Sequence, residues 1–253
     1  MHRKNAHTSL GIEPYKQYFQ DAIEKKSKVI LESTPSYLYS KTALEQIPLL
    51  SSNPKVLFIL REPASQVYSL FNYFKNNWDW IPYTLSFSDY ISAVRKGDAN
   101  FKGNELAENA LDYAHYVNYL IKWKHALGED RIKVILFEQL ISNPQKWMKD
   151  ISEFAGIDPS FFDGYSFPKD NETYTVKSPL LQTLNIKVRS TIPKGKVYNL
   201  MRSIYRSLNT SYSYNKKNQL DLDLINELRA EFTHSNRQLA ENFSINLSLW
   251  QEK

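Results

Sequence analysis

Arg61 and Ser69 are the residues of this 253-residue chain whose type and spacing point most directly to a chemistry, the holding of a phosphate-like anion. They sit in KVLFILREPASQVYSLF, residues 55 to 71, where an apolar run from Val56 to Leu60 ends at the arginine and Pro63 follows. A guanidinium offers bidentate, charge-assisted hydrogen bonds that match phosphate oxygens, and the N–H groups of a helix start add to it. With Pro63 as the first helical residue, Ser69 lies about 9 Å further along the axis, on the side away from Val67, Leu70 and Phe71. A hydroxyl there can meet a ligand crossing that face. Taken alone, the pair also fits a solvated strand-end arginine and an ordinary surface serine.

The elements that must position these residues follow from periodicity. Val56 to Leu60 reads as a strand of a parallel sheet, covered on both faces, and Val67, Leu70, Phe71 and Phe74 form the buried stripe of the next helix. KVILES (28 to 33) and RIKVILFEQL (131 to 140) predict two further buried strands. ELAENALDYAHYVNYLIKWKHALG predicts one long helix with Leu106, Ala110, Tyr113, Ala114, Val117, Leu120 and Ile121 on one face, cations in its last turn and Gly128 at its end. SNPQKWMKDISEFAGID predicts another, with Trp147, Ile151 and Phe154 inward. After a polar, tyrosine-rich loop, YSFPKDNETYTVKSPL, the last third is helical in pattern: LLQTLNIKVRSTI, KVYNLMRSIYRSLN, and a long helix carrying Ile225, Leu228, Phe232 and Leu239. Strands alternating with helices argue for an α/β fold with a parallel sheet flanked by helices.

Composition narrows the ligand class without naming it. Thirty-two Lys and Arg against 27 Asp and Glu leave a formal charge of +5, which favours anionic ligands. With no cysteine there is no disulfide framework, thiolate metal site or thiol nucleophile, and the five scattered histidines form no metal-binding pair. His115 reads as the edge of a buried helix face. The glycine-rich GxxxxGK[ST] loop is absent, which disfavours a P-loop phosphotransferase, and no basic stripe with interleaved aromatics suggests nucleic acid.

LREPASQVYSLF resembles the 3′-phosphate-binding motif of sulfotransferases that use 3′-phosphoadenosine 5′-phosphosulfate (PAPS), with Arg61 and Ser69 at the two phosphate-binding positions. ILESTPSYLY is similar to the family's Glu-x-Ser/Thr-Pro-x-Tyr segment, and VILFEQLISNPQKWMKDISEFAGI to its Tyr/Phe-Glu-x-Leu strand and following helix. NETYTVKSPLL and NLSLW resemble the loop and the close of bacterial members. The resemblance implies a nucleotide-kinase-like sulfotransferase fold with a five-stranded parallel sheet, one domain over 1–253, PAPS as sulfuryl donor, adenosine 3′,5′-bisphosphate as product, and no metal. Lys177, in the polar loop where bacterial relatives carry arginine, becomes a second cation for the nucleotide, against the alternative of a solvated lysine. Glu138 takes a structural role.

The same comparison marks departures. No segment resembles the family's Lys-x-Gly-Thr-Thr loop for the 5′-phosphosulfate, so the chain is expected to begin downstream of that loop, its strand and its first helix. Gln66 stands where many relatives carry a second arginine. No residue is identified as the general base; Glu32 fits either a catalytic or a structural hydrogen-bonding role. IPKGK (192 to 196) resembles a basic phosphate loop but reads as a turn between helices. Two functions follow: sulfuryl transfer from PAPS to a hydroxyl of a glycan or small metabolite, or a non-catalytic relative that binds nucleotide or anionic glycan. Trp78 and Trp80, after the phosphate helix, fit stacking on sugar rings or covering the core. No apolar run reaches the roughly 18 residues of a membrane span. A bacterial cytoplasm is the expected location, with a Golgi lumen as the alternative if an anchor precedes this start; the sequons at Asn171, Asn209, Asn242 and Asn246 do not discriminate.

Overall fold

The computed structural model describes residues 17–78, 80–167, 175–178, 180–182, 184–185, 195–211 and 218–251. In chain order its elements are α1 (Gln20–Glu24), α2 (Lys41–Gln46), β1 (Val56–Leu60), α3 (Pro63–Tyr73), α4 (Phe87–Lys96), α5 (Glu105–Glu108), α6 (Ala110–Tyr113) and α7 (Val117–Leu127). They continue with β2 (Ile132–Leu136), α8 (Phe137–Ser142), α9 (Pro144–Ala155), β3 (Thr175–Val176), α10 (Lys196–Asn209), β4 (Thr210–Ser211), α11 (Gln219–Phe243) and α12 (Ser248–Gln251).

β1 and β2 run parallel, Val56 opposite Ile132 and Leu60 opposite Leu136, so both strands end on the same side and hand the chain to α3 and α8 there. A sheet flanked by helices was expected, and it is present, but among the described residues it has two strands rather than five. Lys28–Ser33 forms no strand. It runs without regular structure, with Leu31 77% exposed, because an apolar run becomes a strand only where a ladder partner meets its backbone groups. Nor is β1 covered on both faces. Phe58 and Leu60 are buried, Phe58 against the edge of Trp123 in α7, whereas on the other face Ile135 is buried and its ladder partner Ile59 is 47% exposed.

The strand at 131 to 140 stops at Leu136, where the Gln139 side chain turns back to accept the Leu136 N–H and starts α8. The single helix expected between Glu105 and Leu127 is three. Asn104 caps the first through the Ala107 N–H, and Gly128, at φ 80, closes the third as expected. In α9 only Ser152 is buried; Trp147, Ile151 and Phe154 are half-buried, and Phe154 lies under the ammonium groups of Lys55 and Lys133 at the sheet edge. LLQTLNIKVRSTI and IPKGK lie largely outside the described residues.

Two apolar clusters hold these elements. One joins α3, α4, α6 and α11 through Val67, Phe71, Phe87, Tyr90, Leu228 and Phe232. The other packs α7 and α12 on the sheet through Phe58, Leu136, Leu120, Trp123 and Trp250. α3, which carries Ser69, belongs to the first and is joined end to end to β1 in the second. No described helix is long and apolar enough to cross a membrane.

The one-sided burial of β1 makes a measurable asymmetry. Phe58→Ala is expected to cost about 3–5 kcal/mol in urea unfolding, as for a buried aromatic, and Ile59→Ala less than about 1 kcal/mol. Equal losses would contradict the open face at Ile59.

Candidate functional site

Arg61 stands one residue past β1 and two before α3. Its guanidinium lies over the Phe137 ring, 5.5 Å from the centroid, and makes no ion pair among the described residues. Its Nε is buried with no hydrogen-bond partner there, and it is the one such side-chain atom in those residues. A buried donor left unpaired costs free energy comparable to a lost hydrogen bond, and an anion is one kind of partner that would satisfy it. Ser69 is half-buried, on the face of α3 away from the buried Val67, and Gln66 is half-buried on the same helix.

The start of α3 itself does not match expectation. Its free N–H groups were expected to serve the anion, but Glu62 already takes them. The Glu62 carboxylate, 2% exposed, accepts the Ala64 and Ser65 N–H groups at 2.9 Å each and the Ser65 hydroxyl at 2.5 Å. Pro63 has no N–H, and the Gln66 N–H returns to the Glu62 carbonyl at 2.8 Å. The helix therefore carries its own internal anion, and affinity for an external one falls to side chains. Glu62 is offset by Arg229 of α11, Nε to Oε2 3.5 Å, while Arg61 makes no ion pair among the described residues.

Sequence reasoning missed Glu62, although an acidic residue directly before a proline at a helix start is a recognisable N-cap. It read Glu138 as structural, and so it is. Glu138, 5% exposed, accepts the Glu62 N–H at 3.2 Å and the Trp250 indole N–H at 2.9 Å, tying the turn after β1 to α8 and α12.

A cleft of about 620 Å³ is walled by Tyr39, Lys41, Trp80, Lys102, Asn104 and Tyr113, among others. Tyr39 and Tyr113 stack with centroids 3.9 Å apart. Trp78 and Trp80 stack at 5.4 Å and both pack on the core; Trp80 also lines the cleft. Tyr116 is buried in the cluster that packs on the sheet. Burial pushes its phenol well above the ordinary value, Tyr39, Glu62 and Glu138 push it further, and Arg61 pulls it back, so the cleft wall and Arg61 act on one hydroxyl.

The structure separates the other predicted residues. Lys177 is exposed, just past β3, and its backbone N–H donates to the Asn209 carbonyl at 3.0 Å, which brings it to neither Arg61 nor Ser69. Glu32 is exposed, its carboxylate accepting the Thr34 hydroxyl at 2.5 Å, in the segment leading into the cleft wall. His115 is half-buried, its Nδ1 3.0 Å from the Ser235 hydroxyl and its ring edge-on to Phe232, which fits the edge of a buried face.

Replacing Trp250 by Phe keeps the ring in the core and strips Glu138 of a buried donor. A loss of about 1–3 kcal/mol in denaturant unfolding is expected, and no measurable loss would show that the Glu138–Trp250 bond adds nothing.

A family model described as "Sulfotransferase domain" matches residues 3–239. Over 147 residues the chain is 26% identical to human "Bifunctional heparan sulfate N-deacetylase/N-sulfotransferase 1", covering 58% of this chain and 16% of that protein. Over 136 residues it is 26% identical to mouse "Sulfotransferase 6B1", covering 53% of this chain and 41% of that one. The chain thus matches only part of these curated relatives' lengths. Among solved structures, a sulfotransferase from Alicyclobacillus acidocaldarius superposes with a TM-score of 0.54 at 17% identity, covering 92% of this chain and 74% of that one, which is a likeness of fold.

Proposed function

The chain belongs to the sulfotransferase domain family, and from that premise we propose that it moves a sulfuryl group from PAPS to a hydroxyl of a carbohydrate or small metabolite. The observation that carries the donor side is the orphaned, buried Nε of Arg61. In this reading the Arg61 guanidinium, held flat by the Phe137 ring, grips the 3′-phosphate, the Ser69 hydroxyl donates to the same group, and Lys177 adds a second positive charge over the nucleotide. When bound, the donor supplies the sulfuryl group and leaves as adenosine 3′,5′-bisphosphate. Because Glu62 is neutralised within the fold by helix N–H groups and Arg229, it does not cancel the charge that Arg61 presents.

On the acceptor side, the cleft supports a carbohydrate. Its volume suits one or two sugar rings, the Trp80 and tyrosine faces suit the apolar side of a ring, and Ser36, Ser40, Thr42 and Asn104 supply hydroxyl and amide partners. We assign the acceptor proton to Glu32, an exposed carboxylate four residues before Ser36 of the cleft wall.

Calorimetric titration with adenosine 3′,5′-bisphosphate tests the donor side. Arg61→Ala is expected to weaken binding by about 2–3 kcal/mol, on the order of 30- to 150-fold, and adenosine 5′-monophosphate to bind as weakly to the unaltered protein. Equal binding of the two nucleotides, or an unaffected Arg61→Ala, would sink the assignment. For the acceptor side, transfer from radiolabelled PAPS to desulfated heparan oligosaccharides and to chito-oligosaccharides is measured for the unaltered protein and for Trp80→Leu. The expected result is a KM raised about tenfold, worth about 1.4 kcal/mol, with bisphosphate affinity unchanged. Glu32→Gln is expected to lower kcat by on the order of 10²-fold or more at unchanged bisphosphate affinity. Tight bisphosphate binding with no transfer to any acceptor would assign the chain to the non-catalytic reading.

A further inference from the structure

Lys177 is exposed and far along the chain from Arg61, yet the backbone that carries it is gripped by a single buried side chain. Asn209, 1% exposed at the end of α10, accepts the Lys177 N–H on its backbone carbonyl at 3.0 Å. Its side-chain Oδ1 accepts the Ser178 N–H at 2.7 Å, and its Nδ2 donates to the Ser178 carbonyl at 3.0 Å and to the Tyr205 hydroxyl at 3.1 Å. Every donor and acceptor of this buried amide is used.

The arrangement continues a ladder. β3 and β4 pair antiparallel, Thr175 opposite Ser211 and Val176 opposite Thr210, and the next rung falls on Lys177 and Asn209. There the partner chain turns away into α10, and the asparagine side chain, which carries the same C=O and N–H pair as a peptide, pairs with Ser178 in its place. The clasp is also anchored. Tyr205 donates to the Gln182 side chain, whose Nε2 donates to the Asn76 carbonyl. Asn76 lies in the π-helical turn Phe74–Trp78 that extends α3, where the Trp80 N–H goes to the Phe74 carbonyl and Asn76 takes its partner from outside. A chain of hydrogen bonds thus runs from the backbone of Lys177 to the helix that carries Ser69.

We propose that Asn209 is the positioning residue for Lys177: through this clasp, and through Tyr205 and Gln182, it registers the second nucleotide cation against Ser69 on α3. The inference rests on the reading of Arg61, Ser69 and Lys177 as the nucleotide site. It also removes Asn209 from the glycosylation sites that the sequons suggested, since its amide nitrogen is buried and committed.

The test is a double-mutant cycle read by calorimetry with adenosine 3′,5′-bisphosphate, with amide hydrogen exchange at Lys177 and Ser178 as a second readout. Lys177→Ala is expected to weaken binding about tenfold, Asn209→Ala by a similar factor with faster exchange at the Ser178 amide, whose acceptor it removes, and the double variant no more than either single one, because a misplaced lysine and an absent one are equivalent. Multiplying effects, or an Asn209→Ala that exchanges faster yet binds as before, would overturn the proposal while leaving the site reading intact. If Lys177→Ala binds as tightly as the unaltered protein while Arg61→Ala does not, Lys177 and with it this inference fall, and if Arg61→Ala is also unaffected, the donor site falls as well. Should Asn209→Ala not fold, Tyr205→Phe cuts the next link with the ring retained. The same non-additivity with Lys177, at smaller size, is then expected, and additivity would overturn the proposal.

Discussion

The carboxylate of Glu138 is the constraint on which the centre of this molecule depends. It is buried, so each oxygen needs a donor, and donors reach it from opposite ends of the fold, among them the Glu62 N–H at the turn after β1 and the Trp250 indole in α12. The first bond sets the turn from which Arg61 projects; the second brings the end of the described chain under it. Parallel pairing of β1 and β2 makes this possible, because it puts both strand exits, and hence Glu62 and Glu138, on one side of the sheet. Glu62 then caps α3 and draws Arg229 from α11. One strand-end turn is thereby fixed by four elements.

That construction separates two kinds of charge at one corner. The carboxylates are enclosed and supplied with N–H, O–H and guanidinium partners of their own, while Arg61 rests on an aromatic face with a donor unmet. A helix start would ordinarily offer its backbone dipole to an incoming anion. Here that dipole is spent on an internal acid, which ties the turn to the helix it starts.

Local signals in the sequence were sufficient where the structure is local. The apolar run, Pro63 and the 3.6-residue stripe placed β1, Arg61 and α3, and the spacing of Ile225, Leu228, Phe232 and Leu239 placed α11, all four of them buried. Failures came where pairing decides. Lys28–Ser33 has the composition of a strand but no ladder, Ile59 has the composition of a core residue but no cover, and the helix expected over Glu105–Leu127 breaks at Asn109 and again before Val117, with no side-chain cap at either break for periodicity to register. Asn209 shows the same limit from the other side: in the sequence it is a sequon, and only the return of the chain beside Ser178 reveals what its amide is for.

The hydrogen bonds at the centre have a consequence for how quickly the protein can assemble. Glu62 to Glu138 spans 76 residues, Glu138 to Trp250 spans 112, and Glu62 to Arg229 spans 167. Closing such loops costs entropy before any contact repays it, and chains dominated by distant contacts fold slowly. α3 and α7 can form early from their own stripes, but the corner that presents Arg61 stays loose until α11 and α12 have been synthesised and docked. A nascent chain would therefore hold its apolar helices before it holds the turn that carries Arg61, so the geometry of that turn is the last feature fixed during folding.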